Sequence, residues 1–207
     1  MNTASLFPMF LKLEGRNCLV LGAGSVGEQK ICSLLDCGAR VVVVAPFASA
    51  AVREWASGGA LTWIQRPVEM TDLDGVFLVV AATSSVEVNH AIYREARARG
   101  VLCNVVDDPP HCDFYYPAVV RRGQLQIAIS TAGLSPALAQ RIRKQLEEEF
   151  PLAYESWLQE LGSRRASLFS AGGDPEERRQ LLHRLATPEA FLEFERGHQS
   201  ASGKEVL

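Results

Sequence analysis

Over the first hundred positions the apolar residues fall into short unbroken runs. Between these runs lie stretches whose apolar positions recur every three or four residues. Asn17 to Leu21, Arg40 to Ala45, Leu61 to Ile64, Val76 to Ala82 and Val101 to Val106 read as buried strands. Ser25 to Cys37, Ala48 to Ala56 and Val86 to Arg99 read as helices, closed by Gly38, by Gly58-Gly59 and by Gly100. Strands that are apolar throughout, rather than alternating, belong to a parallel sheet covered on both faces. At Asp107 the pattern breaks into a turn-rich stretch, DDPPHCDFYYP. Tyr116 to Val120 and Leu125 to Ser130 follow as two strands joined at Arg122-Gly123, and Ser135-Pro136 opens a helix as N-cap and first helical residue. Beyond Pro151 the chain reads as polar helix, with Gly172-Gly173-Asp174-Pro175 separating two helices and a frayed C-terminal end.

Between the first strand and its helix stands Gly22-Ala23-Gly24-Ser25-Val26-Gly27, a GxGxxG string. Placed between a strand and a helix it is a dinucleotide-binding loop, which makes the predicted fold an α/β Rossmann-like parallel sheet. Gly22 permits the tight turn, Gly24 lets a pyrophosphate approach the backbone, and Gly27 lets helix and strand pack closely. The helix N-terminus then offers N–H groups and partial positive charge to the phosphates. The acid that usually holds the ribose belongs at the end of the second strand, but Ala45-Pro46-Phe47 stands there, with no arginine directly after it. This rule therefore leaves NAD and NADP open, and backbone near Pro46 and Phe47, or Ser49, is left to hold the ribose. Ligands of such sheets bind at the carboxyl ends of the strands. That adds Thr83, after the fourth strand, and Asn104, at the end of the fifth, as cofactor contacts. Thr83 could equally serve the following helix as a cap.

A net charge of −3 excludes a general nucleic-acid binder, and no apolar run is long enough to span a membrane. Five cysteines without a CxxC argue against a disulfide framework and for a reducing, cytoplasmic setting. Cys18 and Cys103 read as buried apolar residues. The charge distribution is more informative than its sum. No acid stands between Asp113 and Glu147, whereas Arg121, Arg122, Arg141, Arg143 and Lys144 do. The helix from Ser135 carries its cations ahead of Glu147, Glu148 and Glu149, which stand at its end, against the helix dipole. Such a segment suits a polyanionic ligand. A solvated helix with Arg143–Glu147 and Lys144–Glu148 pairs is the alternative.

Asp107 and Asp108 end the fifth strand, where a catalytic carboxylate belongs in this fold. Asp108, beside proline, suits a turn, so Asp107 is the functional candidate. Asp107, His111 and Cys112 could be grouped about a metal, but their spacing matches no standard site. His90, His183 and His198 read as structural or exposed.

These residues resemble the precorrin-2 dehydrogenase family, the dehydrogenase and often ferrochelatase part of sirohaem synthase. The resemblance is carried by LFPMFLKLEGRNCLVLGAGSVGEQKICSLL, GARVVVVAP, LVVAATSS, CNVVDD and FYYPAVVRRGQLQIAISTAGLSPALAQRIRKQLE. It implies an NAD-binding Rossmann domain over residues 1–113, a dimerisation and substrate-binding region over 114–150, and a helical domain over 151–207. It implies oxidation of precorrin-2 to sirohydrochlorin with NAD, in some members followed by insertion of ferrous iron, in a cytoplasmic homodimer. By position, Asp107 takes the central catalytic role. Ser25, Val26, Pro46 and Phe47 join Gly22, Gly24 and Gly27 at the cofactor. The family's SSGG run reads Ser130-Thr131-Ala132-Gly133, with Thr131 where some members carry a phosphorylated serine. A polycarboxylate tetrapyrrole accounts for the acid-free segment, with Arg121, Arg122, Arg141 and Lys144 as its partners. The rival readings are a non-catalytic Rossmann module that senses NAD, and a dehydrogenase of a smaller substrate. The second would call for a histidine or lysine near a strand end.

Overall fold

The computed structural model describes the backbone of residues 5–202 and the side chains of residues 5–197. Most of the frayed C-terminal end, and the side chain of His198, lie outside the described residues. The chain divides into two compact units, one up to Tyr116 and one from Pro117.

The first unit runs β1 (Asn17–Ala23), α1 (Ser25–Asp36), β2 (Arg40–Ala48), α2 (Ala50–Ser57), β3 (Thr62–Ile64), β4 (Leu78–Ala81), α3 (Val86–Ala98) and β5 (Leu102–Val105). The strands form one parallel sheet in the order β3-β2-β1-β4-β5, the Rossmann-like arrangement expected. Their apolar continuity has a direct cause. On β1, Cys18 and Val20 enter a core with Ile31 and Leu34 of α1 and Val52 of α2. Leu19 and Leu21 point the other way, into a core with Ile92 and Ala96 of α3. Each fully buried aliphatic side chain contributes about 1.5–3 kcal/mol, so both faces of the strand are selected for.

β2 was expected to stop at Pro46 but continues to Ala48. The proline costs little there. Pairing with β3 ends at Val44, and the register with β1 breaks between Leu21 and Ala23, so no regular ladder bond is lost. A 3₁₀ turn at Met70–Leu73 had no signal in the hydrophobic pattern. It is held by a reciprocal cap between Glu69 and Asp72, and by Arg66, which donates to both Asp72 oxygens at 2.9 and 2.5 Å.

The second unit begins with an antiparallel pair, β6 (Ala118–Arg122) and β7 (Leu125–Ile129), turned at Gly123. It continues as α4 (Pro136–Glu149), α5 (Ala153–Ala171), α6 (Pro175–Leu185) and α7 (Pro188–Ser202). Ser135 caps α4 by accepting from the Leu138 amide, as the Ser-Pro signal predicted. Among the described residues three helices follow Pro151 where two were expected. The missed break lies at Thr187-Pro188, where the Thr187 hydroxyl accepts from the Ala190 amide. Tyr154, Trp157 and Phe191 pack ring to ring, with centroids 4.2–5.3 Å apart, and join α5 to α7. Among the described residues no helix is long and apolar enough to cross a membrane.

Candidate functional site

Strand order reverses between β1 and β4, so the crevice of the first unit opens beyond their carboxyl ends. The glycine loop fills one side of it, and its three glycines answer to different constraints. Gly22 has φ +98°, and a Cβ there would lie 2.3 Å from the Ala82 carbonyl oxygen at the end of β4. At Gly27 a Cβ would lie 2.3 Å from the Gly22 carbonyl oxygen, so α1 could not pack down on its own loop. Gly24 is ordinary extended backbone, and a Cβ there would meet nothing within 4 Å. The protein has no internal use for the missing side chain at Gly24, whereas a phosphate lying against the backbone does. Gly24 also stands at the N-cap of α1 with no side-chain cap, whereas Ser49 and Ser85 cap α2 and α3. The exposed end of α1 thus presents its first-turn amides to the crevice, which is what a pyrophosphate needs. Ser25 and Val26 are exposed beside it.

The other expected contacts fall on the same edge of the sheet but differ in what is left for a ligand. Pro46 and Phe47 are exposed, Phe47 at 85%. Ser49 is used as the cap of α2. The Thr83 hydroxyl donates to Asn89 Oδ1 at 2.7 Å and accepts from the Ser85 amide, so it braces the turn that Ser85 caps. Asn104 is buried, and its amide donates to the Phe114 carbonyl at 2.8 Å and to Cys112 Sγ at 3.3 Å. It pins the returning chain against β5.

Asp107 is exposed just beyond β5 with φ +59°, in the left-handed region. Aspartate tolerates that region better than most residues, and such conformations cluster at functional sites. Lys30 of α1 lies near it, which the sequence reading missed. Its ammonium stands 3.7 Å from the centre of the Tyr116 ring. Burial lowers its pKa below the ordinary lysine value, and the Asp107 carboxylate pulls it back up. The only sequence signal for Lys30 was its place one turn beyond Gly27.

His90, read as structural or exposed, belongs to a cluster instead. Its Nε2 lies 2.6 Å from Asp108 Oδ2, and His111 Nδ1 lies 2.9 Å from the same oxygen. The neighbouring imidazoles of His111 and then of His90 hold the Asp108 carboxyl below its usual pKa. The grouping of Asp107, His111 and Cys112 is not formed. The carboxylate beside His111 is that of Asp108, and Cys112 Sγ donates to the Val105 carbonyl at 3.1 Å.

In the second unit the cations divide. Arg122 donates to the carbonyls of Phe150 at 2.6 Å and Glu147 at 3.0 Å, closing the end of α4. Arg143 pairs with Glu147. Arg121, Arg141 and Lys144 are exposed. Thr131 is half-buried, with its hydroxyl accepting from the Ser135 amide, and Ala132 takes φ +50° where the family pattern has glycine.

A parallel sheet with a glycine loop at its switch point, an uncapped helix end and a carboxylate on the adjoining strand edge defines a dinucleotide-binding protein of the Rossmann class. A family profile described as "Putative NAD(P)-binding" matches residues 9–118, and one described as "Sirohaem biosynthesis protein central" matches residues 122–149. The chain belongs to this NAD(P)-binding family. It is 36% identical over 200 residues to siroheme synthase 1 of Aeromonas hydrophila, covering 96% of this chain and 43% of that one. It is 41% identical over 147 residues to the siroheme synthase of Nitrosococcus oceani, covering 71% of this chain and 31% of that one. The chain thus spans less than half the length of these curated relatives. A solved structure of SirC, precorrin-2 dehydrogenase, superposes with TM-score 0.80 at 28% identity, covering 98% of this chain and 100% of that one.

Proposed function

We propose that this chain oxidises precorrin-2 to sirohydrochlorin, with NAD held on the Gly22–Gly27 loop as hydride acceptor. The observation that carries the reading is Asp107, held in a left-handed conformation on the same edge of the sheet as the open backbone of Gly24. The whole-chain likeness to a precorrin-2 dehydrogenase supports it. The choice of NAD over NADP rests on the family resemblance. NAD bound on this loop would supply the hydride acceptor. A proton must also leave the macrocycle, and Asp107 is the group placed to accept it or to orient the carbon that loses it. Lys30 supplies a positive charge on the same side of the sheet as Asp107. Arg121, Arg141 and Lys144 are the cations we assign to the substrate's carboxylates, while Arg122 serves the fold. The working form is a cytoplasmic homodimer.

The test is an anaerobic spectrophotometric assay of the full chain with precorrin-2 and NAD, following sirohydrochlorin and NADH together. Formation of both, lost in Asp107→Ala while NAD binding is retained, is the expected result. Full activity of Asp107→Ala removes its assigned role. NAD binding without oxidation replaces the dehydrogenase with an NAD-sensing module. NADP in place of NAD tests the nucleotide. Adding ferrous iron to the product and comparing uptake with an enzyme-free control tests whether ferrochelation follows, and sedimentation tests the dimer.

A further inference from the structure

We propose that His90 Nε2, Asp108 Oδ2 and His111 Nδ1 form a binding site for one divalent transition-metal ion. The site is separate from the proposed role of Asp107 and does not depend on it. The three donor atoms lie within 4.8 Å of one another, and two imidazole nitrogens with one carboxylate oxygen is a ligand set suited to zinc, cobalt or ferrous iron. They come from two elements: His90 from α3, Asp108 and His111 from the loop after β5.

Contacts from Cys112 and Tyr93 help to hold the cluster in place. The Asp108 carbonyl accepts from the His111 amide at 3.0 Å and from Cys112 Sγ at 3.3 Å, which closes the loop on itself. The ring of Tyr93, one turn after His90 on α3, stands edge-on to His111 with centroids 5.0 Å apart. The two imidazoles stack at 3.9 Å, so both present a nitrogen to the same carboxylate oxygen.

The cluster as it stands is incompletely satisfied. His111 Nδ1 is shielded from solvent and makes no aligned hydrogen bond, although it lies 2.9 Å from Asp108 Oδ2. A buried nitrogen in that position costs free energy that a bound cation would recover. Metal bonds of about 2.0–2.2 Å set neighbouring tetrahedral donors a little over 3 Å apart. The observed 2.6 and 2.9 Å would have to open by a few tenths of an ångström. The side chains have room to do so, being 25–30% exposed. The exposed side leaves a fourth position for water or an incoming ligand, as in sites where a metal exchanges or does chemistry.

The experiment titrates the chelator-treated full chain with cobalt(II), without nucleotide or tetrapyrrole. Visible ligand-field absorption and calorimetry are the readouts. One equivalent should bind per chain. His90→Gln and His111→Gln should each weaken binding by about tenfold or more, and the double variant should lose it. Asp107→Ala and the Cys32→Ser/Cys37→Ser variant should bind normally. Unmodified protein gives the same test without any risk of misfolding: zinc should move the ¹⁵N resonances of His90 Nε2 and His111 Nδ1. No stoichiometric absorption, binding that survives the double variant, or zinc shifts confined to His183 and His198 would each overturn the proposal. The trio would then be two imidazoles sharing a carboxylate, with a structural role alone.

Discussion

A Cβ at Gly22 would run into the Ala82 carbonyl, whereas one at Gly24 would enter open space. The two substitutions should therefore fail differently. Gly22→Val should destabilise the fold by about 3 kcal/mol or more, since both the positive φ and the contact with β4 oppose it. Gly24→Val should melt close to the parent but bind NAD at least tenfold more weakly, about 1.4 kcal/mol. Thermal melts and a nucleotide titration of the two variants separate these effects, and equal loss of stability in both would remove the argument for Gly24 as the phosphate's place. At this scale the sequence was most legible where covalent geometry dictates the residue, as in the glycines. It was least legible at Lys30 and His90. Their helical spacing is unremarkable, and their meaning comes from residues that the fold brings beside them.

The dipole of α4 shows what one element hides from its own sequence. Glu147, Glu148 and Glu149 at its C-terminus look unfavourable along the chain. Arg122 of β6 places a guanidinium on the Phe150 and Glu147 carbonyls and supplies the missing positive charge from another element. Arg122→Ala should cost about 1–3 kcal/mol. Arg122→Lys should recover little of it, because an ammonium cannot span two carbonyls as a planar fork does. Denaturant unfolding of both variants checks this. The 3₁₀ turn at Met70–Leu73 gives a pH prediction. Hydrogen bonding by Arg66 and by the Glu69 amide holds the Asp72 carboxyl below its ordinary value of 3.8. A carboxyl with a depressed folded pKa binds its proton first in the unfolded chain. Its stabilisation is therefore complete above the unfolded value and is lost as pH falls through the folded one. The acid limb of the denaturation midpoint below about pH 4 should flatten in Asp72→Asn, and an unchanged limb would show that the pair adds nothing.

Over the whole molecule the thiols report which parts are closed. Cys32 and Cys37 are exposed. Cys18 and Cys103 are buried in the two cores, and desolvation pushes their pKa values up to about 11 and about 12. Native protein at mildly alkaline pH should be alkylated first at Cys32 and Cys37, with Cys18 and Cys103 labelling only on unfolding. Mass spectrometry of digests shows the order, and early labelling at Cys103 would mean that β5 opens readily. The sequence alone determined the parallel sheet, the glycine loop and the cap of α4. Each follows from a local rule of periodicity, covalent geometry or capping. Tertiary structure alone decided that β2 passes through Pro46, that Arg122 serves a helix end, and that His90 meets Asp108 and His111. Those outcomes depend on which residues distant in the chain become neighbours, and local patterns of polarity do not encode that.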